Sequence, residues 1–175
     1  MKGKPVFRLS KITDYGVVLL AHLASRNAEA DPQVPHAARE VALEVDLPLP
    51  VVSKVLKLLA RRGLLESHRG SKGGYSLTRS AAEITVSEIV GALEGPVALT
   101  ECNLGPHRCE HEVGCPVRGP WLVINRVVQA ALDRVTLADI ADPCFSAATS
   151  PLSILQCEPS DLSGRRATGN ETRAR

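Results

Sequence analysis

VVSKVLKLLARRGLLESHRGSKGGYSLT, residues 51–78, changes its hydrophobic period half-way along. Its first half predicts a helix over 51–63 with an apolar stripe at i, i+3, i+4 and i+7, made by Val52, Val55, Leu56 and Leu59. Its second half holds two short strand-like runs, 64–68 and 75–78, which are separated by the Gly-rich basic turn RGSKGG (69–74). The stretch therefore predicts one amphipathic helix followed directly by a β-hairpin with a cationic tip.

Two further helical segments precede this stretch. ITDYGVVLLAHLASR (12–26) and HAAREVALEVD (36–46) each predict a helix. The first has one apolar face, made by Val17, Leu20, Ala21 and Ala24. LPLP (47–50) is then a turn whose Pro50 starts the next helix, where a missing N–H costs little.

Three further helical signals follow the hairpin. Thr85 and Glu88 form a capping box that begins a helix ending near Leu93. PWLVINRVVQAALDRV (120–135) predicts a long helix that opens with proline at its first position, and its apolar side finds little core left to cover it. TLADIAD (136–142) predicts a short capped helix.

The composition favours a mainly α fold with a small β-hairpin. Hydrophobic residues make up 44% of the 175 residues but aromatic residues only 3%, so the core must be aliphatic. No apolar run is long enough to span a bilayer, and we expect a cytoplasmic protein with no membrane partner. Five cysteines, an odd number, argue against a disulfide framework in a reducing compartment.

Charge is distributed unevenly along the chain. Residues 1–80 carry 13 Lys and Arg against 7 Asp and Glu, a balance of +6. Residues 81–150 carry 4 against 9, a balance of −5. A basic N-terminal half predicts a polyanionic partner for that half, with ordinary surface charge as the alternative.

The order helix, helix, turn, helix, basic hairpin is that of a winged helix-turn-helix. In such a fold the third helix offers polar and basic side chains to the major groove of DNA, and the hairpin tip reaches phosphates or the minor groove. The side chains expected to supply the charge are Lys54, Lys57, Arg61, Arg69 and Lys72. The helix alone could be an ordinary surface helix, but the basic hairpin directly after it favours DNA binding.

CNLGPHRCEHEVGCPVR (102–118) places Cys102, Cys109 and Cys115 in one polar loop. No pair has the short Cys-x₂₋₄-Cys spacing of a zinc ribbon. Three soft thiolates spread over a Gly/Pro loop suit a larger group such as an iron–sulfur cluster, and three ordinary thiols are the alternative. The other two cysteines, Cys144 and Cys157, lie outside this spacing.

The chain resembles the IscR/NsrR-like iron–sulfur regulators of the Rrf2 family over about residues 7–142. The matching stretches are RLSKITDYGV (8–17), LPLPVVSKVLKLLARRGLLESHRGSKGGYSL (47–77), ITVSEIVGALEG (84–95) and the cysteine loop (102–118). The hairpin sequence RGSKGGY and the cysteine loop are the most specific parts. The opening RLSKITDYG looks most like the branch that regulates the SUF iron–sulfur assembly operon, and is also similar to the nitric-oxide-sensing branch.

The resemblance implies a homodimer paired through the long helix, and a cluster, 2Fe–2S or 4Fe–4S, held by the three loop cysteines. It also implies operator contacts from Pro50, Ser53 and Lys54 at the start of the third helix and from Arg69 in the wing. Family members are not enzymes. The implied function is a repressor that senses cluster status and controls iron–sulfur assembly genes.

The fourth cluster ligand is where this chain departs from the IscR pattern. A histidine ligand is expected three residues after the third cysteine, but Arg118 stands there and cannot bind iron. The nitric-oxide branch implies an aspartate from the other subunit, and Asp14 stands at the matching place. The alternative is that Asp14 only stabilises its own helix, because a negative charge in the first turn interacts favourably with the helix dipole. The competing ligands inside the loop are Glu101, His107 and His111.

Two other functions stay open from the sequence: a nitric-oxide- or redox-sensing repressor, and a zinc- or thiol-stabilised interaction module that does not read DNA. The predicted division of the chain is a DNA-binding domain over 7–95, a cluster-binding loop over 96–119, a dimerisation helix with a short following helix over 120–145, and a disordered tail over 146–175.

Overall fold

The computed structural model describes residues 8–27, 34–70, 73–112, 114–143 and 145. Lys72, Cys144, Cys157 and the predicted tail over 146–175 lie outside the described residues. The helices are α1 Lys11–Asn27, α2 Ala38–Glu44, α3 Leu49–Arg61, α4 Val86–Glu94, α5 Arg118–Asp133 and α6 Leu137–Ala141. The strands are β1 Leu65–His68 and β2 Gly74–Leu77. None of the described helices is both long and apolar enough to cross a lipid bilayer.

The predicted fold class is confirmed: the chain is mainly helical with one antiparallel hairpin. The placing of Pro120 at the first position of the long helix was wrong, because α5 begins two residues earlier at Arg118. Trp121 N–H donates to Val117 O at 3.1 Å and starts the helical ladder. Pro120 precedes that bond, so its missing N–H removes no helical hydrogen bond. The division of the chain into domains stays a prediction.

The predicted apolar stripe of α3 lies in the centre of the core. All four of its residues are buried, against α1 residues that include Leu19, Leu20 and Leu23. The predicted α1 face was half right, since Val17 and Ala21 are only partly buried. The buried arc of α1 is wider than one stripe because α3, α4 and α6 all contact this helix.

Two backbone bridges attach other segments to this core. His36 and Tyr75 exchange N–H···O bonds of 2.9 Å each, so the segment before α2 lies beside β2. Val86 N–H donates to Val135 O and Leu137 N–H donates to Ile84 O, each at 2.8 Å. The second bridge returns the chain after α5 to the core.

The two glycines before Tyr75 are required by close backbone contacts. A Cβ on Gly74 would lie 2.3 Å from His36 O, and a Cβ on Gly73 would lie 2.4 Å from His68 O. Both obstructing atoms are backbone and cannot rotate away. The two glycines of the GGY sequence therefore allow β2 to pair with β1 on one side and with His36 on the other.

We predict that Gly74→Ala destabilises the protein by about 1–3 kcal/mol, because the added methyl forces the backbone of His36 away from β2. The measurement is urea unfolding at fixed protein concentration. Gly91→Ala is the matched control, since Gly91 lies in α4 with no atom within 4 Å of its would-be Cβ. That control should be neutral or up to about 1 kcal/mol more stable. Equal stability of both variants would contradict the close-contact explanation.

Candidate DNA interface and metal centre

The outer face of α3 carries cations without acidic partners. Lys54, Lys57 and Arg61 are exposed, opposite the buried stripe. Pro50 is exposed at the start of the helix, and Ser53 is partly buried. Within the part of the chain that the structure describes, these three cations form no ion pair. Their charges are available to a phosphate backbone.

The hairpin extends this surface. Arg69 is exposed and directly follows β1, at the tip that Gly73 N–H closes by donating to Gly70 O at 3.0 Å. The predicted contact Lys72 is outside the described residues. Arg79 lies at the other end of the hairpin and is paired with Glu88 at 2.9 Å. Unpaired positive charge in the hairpin is thus found at its tip, as a DNA-contacting wing requires.

The three loop cysteines are free thiols and are all partly buried. Cys102 lies in a 3₁₀ turn, Glu101–Asn103, and its Sγ is 3.0 Å from Thr100 Oγ1. Asn103 Nδ2 donates to Thr100 Oγ1 at 2.7 Å. A hydroxyl has one proton and two lone pairs, so Thr100 can accept from Asn103 and still donate its own proton to the Cys102 sulfur. Thr100 is therefore a neighbouring hydrogen-bond donor for whatever Cys102 Sγ binds.

Glu112 and Arg118 form an ion pair inside the same loop. Arg118 Nη2 lies 2.6 Å from Glu112 Oε1, and Arg118 N–H also donates to Cys115 O at 3.4 Å. Arg118 Nε is buried without a hydrogen-bond partner among the described residues. The residue that replaces the expected histidine ligand is therefore part of the loop's own framework.

The single chain does not bring the proposed ligands together. Among the described residues, no three His, Cys, Asp or Glu side chains are grouped so that they could hold a metal ion. Asp14 is exposed on the first turn of α1, and Glu101, His107 and His111 are exposed in the loop. A complete site requires a change in the loop, a ligand from another chain, or both.

The start of α1, which carries Asp14, is fixed by Glu94 of α4. Glu94 Oε1 accepts hydrogen bonds from Thr13 Oγ1 and, at 2.7 Å, from Ser10 N–H. These hydrogen bonds lower the pKa of Glu94 below its usual value, and the bond from Thr13 has the largest effect. Asp14 is therefore presented from a helix end that is anchored to the DNA-binding fold.

A family model described as "Rrf2: Iron-dependent Transcriptional regulator" matches residues 9–143. The chain belongs to the Rrf2 family. The resemblance found in the sequence is thus confirmed at the level of the family, whose members are DNA-binding transcriptional regulators and not enzymes.

Individual Rrf2 relatives agree with this assignment. The HTH-type transcriptional repressor NsrR of Streptomyces coelicolor is 32% identical over 133 residues, which cover 76% of this chain and 87% of the relative. The solved structure of CymR, the global cysteine regulator of B. subtilis, is 27% identical with a TM-score of 0.60 and covers 77% of this chain and 96% of its own. The T. potens IscR structure is 26% identical with a TM-score of 0.57 and covers 82% and 93%.

The sequence analysis did not predict the polar contacts around the candidate ligands. Thr100, Asn103 and Glu94 act through hydrogen bonds that leave no periodic pattern. Glu112 carried one usable signal, since an acidic residue six positions before Arg118 in the same loop is a candidate ion-pair partner.

Proposed function

We propose that this Rrf2 protein is a DNA-binding repressor whose loop holds an iron–sulfur cluster, 2Fe–2S or 4Fe–4S, through Cys102, Cys109 and Cys115, and that it controls SUF iron–sulfur assembly genes. The observation that carries the proposal is the combination of three free, partly buried thiols on one loop with a winged helix whose exposed α3 cations and Arg69 form no ion pair in the described chain. The SUF assignment rests on the likeness of RLSKITDYG to that branch.

The residues of the loop fit such a group chemically. Thiolates are the usual ligands of iron–sulfur clusters, and the Thr100 hydroxyl is placed to donate to the Cys102 sulfur. The buried and unpartnered Nε–H of Arg118 is a further donor that suits an anionic occupant. A bound cluster would link its ligands to one another. Iron starvation, oxidants or nitric oxide would remove the cluster and so break that link.

A homodimer would cover the apolar surface that a single chain leaves exposed. On α5, Val123, Ile124 and Val127 are 53%, 45% and 56% exposed, and the only buried residue of that helix in the described chain is Asn125. On α1, Ile12 and Val18 are also exposed. Apolar helix faces left exposed to water are typical of protein interfaces. We assign them to a second copy of this chain.

Asp14 of one subunit completes the site on the loop of the other in this proposal. Inside the loop, Glu112 is already committed to Arg118, which leaves Glu101, His107 and His111 as competing ligands. Asp14 is exposed on the same helix as Ile12 and Val18. The α5 helix follows the cysteine loop directly, so packing it near α1 of the partner brings Asp14 towards that loop.

This arrangement gives cluster status a physical route to DNA. The loop of one subunit would be tied to the helix that Glu94 fixes to the DNA-binding fold of the other. Breaking the tie frees the two DNA-binding units to move relative to one another. A coupling of about 1–3 kcal/mol between the two sites is sufficient for regulation.

A nitric-oxide- or redox-sensing repressor is the second candidate. The Asp14-Tyr15 pair and the arginine at position 118 favour it over an IscR-type sensor, and the 32% identity to NsrR agrees. The two candidates share every proposed ligand and differ only in the signal and the target genes.

The proposed operator contacts are Pro50, Ser53, Lys54, Lys57, Arg61, Arg69 and Lys72. We predict that Lys57→Ala and Arg69→Ala each weaken operator binding and flatten its salt dependence. The log–log slope should fall by about 0.9 for each lost phosphate contact, or about 1.8 for a dimer that loses one per subunit. The measurement is fluorescence anisotropy on the protein's own promoter between low and moderate salt.

Arg79→Ala is the control for these variants, because it removes the same charge from the paired end of the hairpin. Its salt slope should equal that of the unsubstituted protein. If the slopes of Lys57→Ala and Arg69→Ala also equal that of the unsubstituted protein, α3 and the wing do not contact the DNA backbone. If the unsubstituted protein binds no duplex at all, the result favours an interaction module.

Mixed dimers test whether Asp14 acts in trans. We predict that a dimer of one Asp14→Ala chain and one chain with all three loop cysteines replaced by serine keeps half of the normal iron and sulfide. Its intact cysteines then face the intact Asp14 of the partner subunit. The measurement is iron and acid-labile sulfide per dimer after purification on two different affinity tags.

The reciprocal dimer pairs an unsubstituted chain with one that carries all four substitutions. It should hold no cluster if Asp14 acts in trans, because its only cysteines face Ala at position 14 of the partner. Half loading of this dimer with none in the first would place Asp14 in cis. Half loading of both would exclude Asp14 and leave Glu101, His107 or His111.

A further inference from the structure

The carboxylate of Glu112 joins two distant points of the cysteine loop. Its Oε2 accepts from the backbone N–H of His107 at 2.6 Å, and its Oε1 accepts from Arg118 Nη2 at 2.6 Å. The Glu112 side chain is 16% exposed, whereas that of its partner Arg118 is 41% exposed. Both are charge-assisted hydrogen bonds, the stronger class in proteins.

This junction sets the position of two cysteines at once. Cys109 lies between His107 and Glu112, and Cys115 lies between Glu112 and Arg118. His107 turns the chain with φ at 62°, a conformation that non-glycine residues keep only when their surroundings hold it. Arg118 therefore closes, through Glu112, two short segments that each contain one thiol.

Arg118 has an unused donor at the same place. Its Nε is buried and has no partner within the described chain, although the guanidinium always carries its charge. A buried donor without an acceptor is unfavourable and rare. Thiolates and cluster sulfides are anionic acceptors, and loading the loop would bring them close to a residue that is three positions from Cys115.

We propose that Arg118 is a positioning residue of the cluster site: it holds the loop through Glu112 and donates its buried Nε–H to a sulfur atom of the loaded loop. The donor part rests on the proposed function, whereas the tether through Glu112 belongs to the protein without metal. Arg118 thus stands where the IscR pattern has a ligand and serves the same site by charge and hydrogen bonding.

The tether is tested in the cluster-free dimer by amide hydrogen exchange at His107, read by nuclear magnetic resonance. Arg118→Gln should speed this exchange about tenfold, the change expected when a charge-assisted network is lost. Arg108→Gln is the matched control, because Arg108 is an exposed arginine of the same loop, and its exchange should be unchanged. Equal exchange in both variants would overturn the tether.

The donation to sulfur is tested in the loaded dimer. Arg118→Gln should lower the midpoint reduction potential of the cluster and speed its loss to a chelator about tenfold, while Arg108→Gln leaves both near the unsubstituted values. Arg118→Lys should keep more of the potential than Arg118→Gln, since it retains the charge.

A potential that is the same in Arg118→Gln and Arg108→Gln would overturn the donation even if the cluster is lost faster, because a purely structural role changes only the rate. An unsubstituted protein without iron and sulfide would overturn the donation together with the proposed function. The exchange rates at His107 would still decide the tether in that case.

Discussion

Burial of the α3 stripe is the interaction on which the rest of the molecule depends. Each of its four aliphatic side chains contributes about 1.5–3 kcal/mol when removed from water, and together they fix the rotation of the helix. With the stripe facing α1, the cations at Lys54, Lys57 and Arg61 must face outwards. The same packing sets where the chain leaves α3 and enters the wing.

Residues 96–133, which include the cysteine loop and α5, contribute no described side chain to the main hydrophobic core and are held by polar contacts. Asn125 is the only buried residue of α5 in the described chain; its Oδ1 accepts from Leu99 N–H at 2.9 Å and its Nδ2 donates to Val97 O at 3.1 Å. The cysteine loop lies between this anchor and the start of α5, where Glu112 and Arg118 pair. The exposed apolar side of α5 then remains for a partner, which links cluster binding to dimer formation in our proposal.

The sequence predicted the features that depend on local periodicity and capping. The α3 stripe, the hairpin and the Thr85–Glu88 capping box were all predicted, and both hydrogen bonds of the capping box are present. Contacts between distant positions were out of reach, because Gly74 beside His36 and Asn125 beside Leu99 are brought together only by packing. The predicted start of α5 was wrong because proline is tolerated at any position of the first helical turn. A proline therefore locates the start of a helix only to within one turn. The cysteines were predicted as ligands from their spacing and chemistry and stay a prediction, whereas the Glu112–Arg118 ion pair in the same loop was not predicted.

The metal content of protein eluted from its own promoter DNA tests the central claim most directly. The dimer would be purified without oxygen, retained on the immobilised duplex at low salt, eluted with salt, and assayed for iron, acid-labile sulfide and zinc. We predict a coloured eluate with iron and sulfide in equal amounts. A colourless eluate with stoichiometric zinc, or a protein that does not bind the duplex at all, would contradict a cluster-holding repressor.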